Sequence, residues 1–294
     1  MLRNSINPKF NVYYRDYILI MEKLDIAVIN LDRRSDRMAY LFKNSPVSFR
    51  RSSAVDGQNL SNYYSEFAEL LDTIRNQQRV LGEVGCSLSH YSLWKSHADK
   101  PTADFLLVFE DDVLFTERSL ERIRDTIHDI HHDADNGRDF DVMYVGGQWT
   151  PDYDIDGTTC PYFPFQKTTM ESLGGHYSES LVPCIYKRRN LSPAVIQGTR
   201  NVWFTPLFRT AGAYLVSQRG AKRLLQAVET DTALFMKTPL DMWLLEMDFR
   251  GYIHSFDRFP HPFYQAGFEM VREPSHAAND IHRTNFQTVS LPSP

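Results

Sequence analysis

The chain has 294 residues, of which 42% are hydrophobic and 23% charged, the balance of a soluble globular protein with one large domain or two small ones. A net charge of −5 excludes a broad nucleic-acid-binding face. Three cysteines, Cys86, Cys160 and Cys184, form neither a paired framework nor a metal-ligand motif, so a reducing compartment is the simpler reading, with a Cys160–Cys184 pair left open.

The first two dozen residues are irregular, without a signal-peptide pattern or an apolar run long enough to cross a bilayer. The run IAVINL (26–31) then reads as a strand, apolar except for Asn30. It leads through the polar loop DRRSDR (32–37) into a helix carrying Met38, Tyr40 and Leu41. A short strand is expected near 47–51, ending in Ala54, Val55, Asp56 and Gly57. Residues 62–75 place Phe67, Leu70, Leu71 and Ile74 on one helical face. A second helix, 82–97, carries small residues that permit close packing on a sheet. After the strand at 105–109, the segment 117–130 is an amphipathic helix through Leu120, Ile123, Ile127 and Ile130. A strand at 140–145 is closed by Gly146 and Gly147.

This alternation predicts an α/β fold with a mostly parallel central sheet flanked by helices. Periodicity then lapses over 149–208, which is rich in aromatics such as Trp149, Tyr162, Phe163 and Trp203, and is read as a folded insertion on the acceptor side. It returns as a strand at 211–216, helices at 217–228 and 239–250, and a strand at 252–256. The expected organisation is an irregular extension (1–24), a single catalytic domain (25–270) and a polar, partly disordered tail (271–294).

The most informative stretch is FLLVFEDD (105–112). Its apolar run suits a strand buried on both faces, and it ends in Glu110, Asp111 and Asp112. Three adjacent carboxylates repel one another and resist desolvation, and a divalent cation with oxygen ligands would offset that cost. The carboxyl end of a central strand is also where open α/β sheets bind ligands. A solvated turn or a helix cap explains the triplet equally well.

Six pieces stand in a recognisable order: VINLDRRSDRM (28–38), AVDG (54–57), GEVGCSLSHYSLW (82–94), LVFEDDVLF (107–115), TAGAYLVSQRGAKRLL (210–225) and PLDMWL (239–244). Together they resemble glycosyltransferase family 25, over roughly residues 26–265. The resemblance implies a GT-A-type fold, a UDP-sugar donor, and transfer with inversion to a glycan or hydroxylysine-type hydroxyl. It also implies Mn²⁺ or Mg²⁺ held by Glu110 and Asp112. A late histidine would complete the metal site, with His261 taken as the choice among His254, His261, His276 and His282.

Under the resemblance, donor contacts fall to Asn30, Leu31, Arg33, Arg34, Arg37, Asp56, Gly57, Gly85, Ser89, Glu110, Asp111 and Gly212. Arginine forks at a strand-to-helix junction suit an anionic ligand, although local ion pairs on a surface loop would look the same. Asp56-Gly57 is also a turn signal, and Gly212 also suits strand–helix packing. An inverting transfer needs one base, and Asp241 is assigned that role, although an acid in the first turn of a helix can merely complement its dipole.

Two other classes compete with the transferase. One is a non-catalytic carbohydrate-binding module on a degenerate transferase fold, and the other is a nucleotidyltransferase or metal phosphohydrolase. The expected location is the cytoplasm of a bacterium or virus-infected cell, with peripheral membrane association and homo-oligomerisation left open.

Overall fold

The computed structural model describes residues 24–100, 103–115, 119–132, 140–148, 184–187, 211–259, 263–265 and 287–292. The expected N-terminal extension, nearly all of the aromatic insertion, and His261, His276 and His282 lie outside them. Strand β1 (Leu24–Asn30) is buried along almost its whole length. Helix α1 (Ser35–Asn44) returns the chain to β2 (Arg50–Ser53). A 3₁₀ segment (Gly57–Tyr63) precedes α2 (Tyr64–Asp72), so the single helix predicted over 62–75 is two, with Phe67 itself off helical geometry. The two-residue strand β3 (Gln78–Arg79) precedes the long α3 (Leu81–Asp99). Next come β4 (Phe105–Glu110), β5 (Val113–Leu114) and α4 (Ser119–His132).

Strand β6 (Val142–Tyr144) is followed at once by β7 (Gly146–Gln148), so the glycines predicted to close a strand begin another one. After β8 (Cys184–Lys187) come β9 (Ala213–Ser217), α5 (Gln218–Thr230), α6 (Thr232–Lys237), α7 (Leu240–Phe249), β10 (Ser255–Phe259), β11 (Phe263–Gln265) and β12 (Gln287–Thr288).

The main sheet has seven strands in the order β2-β1-β4-β9-β6-β10-β8. Strands β2, β1, β4, β6 and β10 point one way, and β9 and β8 run against them. The sheet is therefore mostly parallel, with a reversed strand at its centre. Alternate residues face opposite layers, as strand geometry requires. Ala27, Leu106, Val108, Tyr214 and Val216 pack with Leu88 and Trp94 of α3, Leu224 of α5 and Trp243 of α7. Val28, Leu107, Phe109, Ala213 and Leu215 pack with Met38 and Leu41 of α1 and Ile123 and Ile127 of α4. At about 25 cal/mol per Å² of apolar surface removed from water, these two layers hold the sheet between helices.

A smaller sheet, β5-β11-β7, sits just past the end of β4. Residues 287–292 of the polar tail pair with the body. Strand β12 pairs with β3, Asn76 and Val289 exchange main-chain bonds with the facing segment, and Val289 is fully buried. One buried apolar residue and a short ladder order a segment whose composition reads as disordered.

Candidate active site at the carboxyl ends of the central strands

Because β2, β1 and β4 are parallel neighbours, their carboxyl ends share one edge of the sheet. A cleft of about 280 Å³, open to solvent, lies there. Its floor is Glu110, Asp111 and Asp112. Leu31, Arg33 and Arg37 come from the β1–α1 junction, Asp56 and Gly57 from the end of β2, and Cys86, Ser89 and His90 from α3. The structure thus brings most of the predicted donor residues to one place. Asn30, Arg34, Gly85, Gly212 and Asp241 are not among the lining residues.

The three acids stand in different environments. Asp111 forms an ion pair with Arg37 and accepts a 2.7 Å hydrogen bond from Asn30 Nδ2. Burial raises its pKa, with Arg37 and Asn30 opposing. Asn30 is 1% exposed and its carbonyl oxygen Oδ1 accepts from Arg51 Nε at 2.9 Å. Asn30 therefore braces Asp111 from the second layer and does not face the cleft.

Asp112 is 6% exposed, and its carboxyl is pushed up to about 8 by burial and by the charges of Glu110 and Asp111. Its hydrogen-bond partner is neutral. Gln265 Nε2 lies 3.2 and 3.1 Å from the two Asp112 oxygens and donates to Glu110 Oε2 at 3.0 Å. One amide nitrogen thus bridges the two carboxylates predicted to hold a metal. A buried acid whose ionised form is suppressed, facing a second carboxylate across one weak donor, is a donor set of hard oxygens that a dication would complete. These residues fit Mn²⁺ or Mg²⁺.

Sequence reasoning missed Gln265. It lies in a three-residue strand, and its role depends on β11 pairing with β5 directly after the acids, which no local pattern encodes. The glycine at 212 answers to it. A Cβ there would sit 3.0 Å from Gln265 Cδ, and the Gly212 carbonyl accepts the Glu110 backbone N–H at 2.9 Å. The close approach expected at this glycine is made by the Gln265 side chain.

The remaining wall is tightly built. Arg33 Nη1 lies 2.6 Å from Asp56 Oδ2, while Arg34 turns away to Asp36 with both contacts at 3.0 Å. Of the three arginines, Arg33 and Arg37 line the cleft. Asp56 also caps the 3₁₀ segment through Gln58 N–H at 3.1 Å. A Cβ on Gly57 would lie 1.8 Å from the Leu81 carbonyl oxygen, and one on Gly85 2.5 Å from that of Val55. Both glycines therefore let the β2 end touch α3. The Ser89 hydroxyl accepts from Val55 N–H at 2.8 Å and donates to the Gly85 carbonyl at 2.6 Å, so it fastens the same junction.

Deeper, His90 Nδ1 lies 2.5 Å from Tyr214 Oη, which accepts from Trp94 Nε1 at 3.1 Å. His90 Nε2 is 3.4 Å from Glu110 Oε1, and Cys86 Sγ is 3.8 Å from the same oxygen. Burial, then the charges of Glu110 and Asp241, push the Cys86 thiol well up.

Asp241 lies in the first turn of α7, where its Oδ1 accepts from Met242 N–H at 2.8 Å. Its charge reaches Cys86 on the cleft wall and Glu83 on the same helix. Among the other histidine candidates, His254 is placed away from the acids. Its backbone N–H donates to Asp141 at the opposite ends of the strands.

The acid cluster and arginines lie at the carboxyl ends of parallel strands, where open α/β sheets bind ligands. Residues 23–151 match the family model described as Glycosyltransferase family 25 (LPS biosynthesis protein). A rat protein named "Probable inactive glycosyltransferase 25 family member 3" is 25% identical over 288 residues, covering 91% of this chain and 41% of its own. Mouse "Procollagen galactosyltransferase 2" is 31% identical over 132 residues, 42% of this chain and 20% of its own. The "Procollagen lysyl hydroxylase and glycosyltransferase" of Acanthamoeba polyphaga mimivirus is 33% identical over 125 residues, 37% of this chain and 14% of its own. The chain is thus similar to members of glycosyltransferase family 25, as its motifs predict, and it spans less than half the length of each of these relatives. No helix among the described residues is long and apolar enough to cross a membrane.

Proposed function

We propose that the cleft binds a UDP-sugar and transfers its hexose, galactose or glucose, with inversion to a hydroxyl of a glycan or hydroxylysine-type acceptor. The observation that carries this reading is the pairing of Glu110 with the buried, under-compensated Asp112 on the floor of a cleft rimmed by Arg33 and Arg37. The fold reading that goes with it is GT-A type. When bound, Mn²⁺ or Mg²⁺ supplies Lewis-acid stabilisation of the charge that grows on the departing diphosphate.

The chain's own residues divide the remaining work. Glu110 and Asp112 hold the cation. Asp111, anchored by Arg37 and Asn30, fixes the turn that presents Asp112. Arg33 and Arg37 add positive charge where the nucleotide's anionic part lies. Leu31, Gly57 and Leu81 wall one side of the cleft. Asp241 is the proposed base for the acceptor hydroxyl proton, and acceptor binding draws on the 149–208 segment. His261 is kept as a proposed metal ligand, because it lies four residues before Gln265.

The test is a screen of UDP-sugars with Mn²⁺, reading released UDP with and without acceptor hydroxyls. Slow donor hydrolysis with one sugar is expected. Release of pyrophosphate or phosphate instead would place the chain among nucleotidyltransferases or phosphohydrolases.

A second reading, a non-catalytic carbohydrate-binding module, has one observation in its favour. The rat relative that aligns over 91% of this chain is itself named "Probable inactive". Saturable UDP-sugar binding by calorimetry with no UDP release from any donor would support that reading over the first.

A further inference from the structure

Glu110 has two faces, and the proposed function uses one of them. Its Oε2 points to Gln265 and Asp112, while its Oε1 points the other way, to α3. There Cys86 and His90, one helical turn apart, reach the same oxygen from one side of the helix. Cys86 Sγ is 3.8 Å and His90 Nε2 3.4 Å from Oε1, and all three ligand atoms lie within 4.8 Å of one another. A tetrahedral zinc ion, with bonds of about 2.0 Å to nitrogen and oxygen and 2.3 Å to sulfur, spaces its ligand atoms roughly 3.3–3.6 Å apart. The two separations to Oε1, 3.8 and 3.4 Å, are close to that spacing, and the Cys86–His90 separation lies within 4.8 Å.

Three further features favour a cation there. The His90 ring is fixed from behind by Tyr214 Oη at 2.5 Å, itself held by Trp94, which is how a ligating imidazole is ordinarily oriented through its other nitrogen. The negative fields of Glu110, Asp241 and Asp112 converge on the Cys86 sulfur. Cys86, His90 and Glu110 all line the open cleft, which gives an entry path and leaves a fourth position for water or a ligand oxygen.

We propose that Cys86 Sγ, His90 Nε2 and Glu110 Oε1 form a binding site for a borderline-soft divalent cation of the zinc type, separate from the side of Glu110 that faces Asp112. Binding there displaces the thiol proton to solvent and leaves sulfur as thiolate. The site stands whether or not the cleft transfers sugar. Because Glu110 is common to both sides, zinc would also weaken Mn²⁺ binding at the Asp112 side.

The experiment is a Co²⁺ titration of the full, reduced chain without nucleotide, followed by absorbance. The expected result is a thiolate-to-cobalt charge-transfer band in the near ultraviolet with tetrahedral d–d absorption in the visible, saturating at one ion per chain and bleached by Zn²⁺. Cys86→Ser should lose the charge-transfer band, while Cys160→Ser and Cys184→Ser keep it. A wild-type chain that binds cobalt without a charge-transfer band, or a band that survives in Cys86→Ser, overturns the proposal. If Cys86→Ser does not fold, the wild-type chain still decides. Zn²⁺ should slow alkylation of Cys86, read by peptide mass spectrometry, by about tenfold or more, since the reagent attacks the free thiolate. An unchanged rate is equally fatal.

Discussion

Asp141 and Asp112 are both buried at strand ends of the same sheet, and the fold treats them in opposite ways. Asp141 is 0% exposed and lies just before β6, where Arg219 Nε at 2.9 Å, Arg223 Nη1 at 2.8 Å and the His254 backbone N–H at 2.8 Å converge on it. Asp112 lies at the far end of the strands, where, among the described residues, it has one neutral amide against it and two carboxylates beside it, offset only in part by Arg37. The first arrangement is what a buried charge needs in order to stabilise a fold, namely a paired and hydrogen-bonded surrounding. The second is destabilising on its own terms and makes sense as a site prepared for a positive ligand. Compensation separates a structural carboxylate from a functional one here better than burial does.

The largest effect expected from this contrast is on activity. Asp112→Asn should reduce Mn²⁺-dependent UDP release by about 100-fold or more, the usual scale for removing a group that stabilises developing charge. The same change should leave the urea midpoint unchanged or raise it, because it replaces an acid that the fold must keep protonated with a neutral amide of the same shape. Unchanged turnover, or a large loss of stability, would erase the distinction between the two acids. Asp141→Ala should do the reverse. Its two arginines are partly exposed, so the loss should be about 2–3 kcal/mol, toward the low end for breaking a buried pair. Donor binding by the folded fraction should be unaltered.

How much of this was legible in the sequence differs between the two ends of the sheet. The acids at 110–112 are contiguous and follow a run of apolar residues, so local chemistry betrays them. The same holds for Arg33 and Asp56, which follow strands closely, and for Arg37 in the first turn of the next helix. Asp141 reads as an ordinary strand-flanking acid, because its partners lie 78 and 82 positions away. Gln265 was invisible for the same reason. Its partners Glu110 and Asp112 are 155 and 153 residues distant, brought close by a small sheet of two- and three-residue strands too short to show periodicity. Strand direction was also hidden. The apolar run of β9 looks alike in either sense, and its reversal follows from pairing with β4 and β6. Where the sequence motif named Gly212 and Ser89 as donor contacts, the geometry gives both a packing role against the protein itself.

His97 extends the comparison to a third strategy, in which a buried group stays uncharged. It is 0% exposed, and burial, assisted by Lys100 and opposed by Asp25, pushes its pKa down from 6.5 to about 4. The unfolded chain takes up the proton near pH 6.5, while the folded chain resists until about 4. The contribution is therefore fully present above pH 6.5 and is lost as pH falls toward 4, by about 2 kcal/mol between pH 7 and pH 5. Asp112, whose pKa is raised, contributes in the opposite sense over the same window, so the test compares chains: urea denaturation should show the wild-type chain losing about 2 kcal/mol relative to His97→Leu between pH 7 and pH 5. Equal changes in the two chains would mean that His97 charges without penalty in the fold.

The smallest effect expected is also the one that bears most directly on Asp112. Gln265 supplies a neutral N–H where a cation is expected, and the same side chain can turn its carbonyl oxygen inward once a cation replaces the N–H. On that account Gln265→Leu removes a ligand as well as a placeholder. Mn²⁺ affinity, measured by calorimetry without nucleotide, should fall about tenfold or less, with a stability change of about 1 kcal/mol from the lost bridge. If affinity rises instead, the amide is a competitor that the cation must expel, and Glu110 and Asp112 hold the metal without it. In either case Gly212→Ala should act through Gln265, because a Cβ placed 3.0 Å from Gln265 Cδ displaces the amide before it disturbs the strand. The double variant should then bind Mn²⁺ no differently from Gln265→Leu alone.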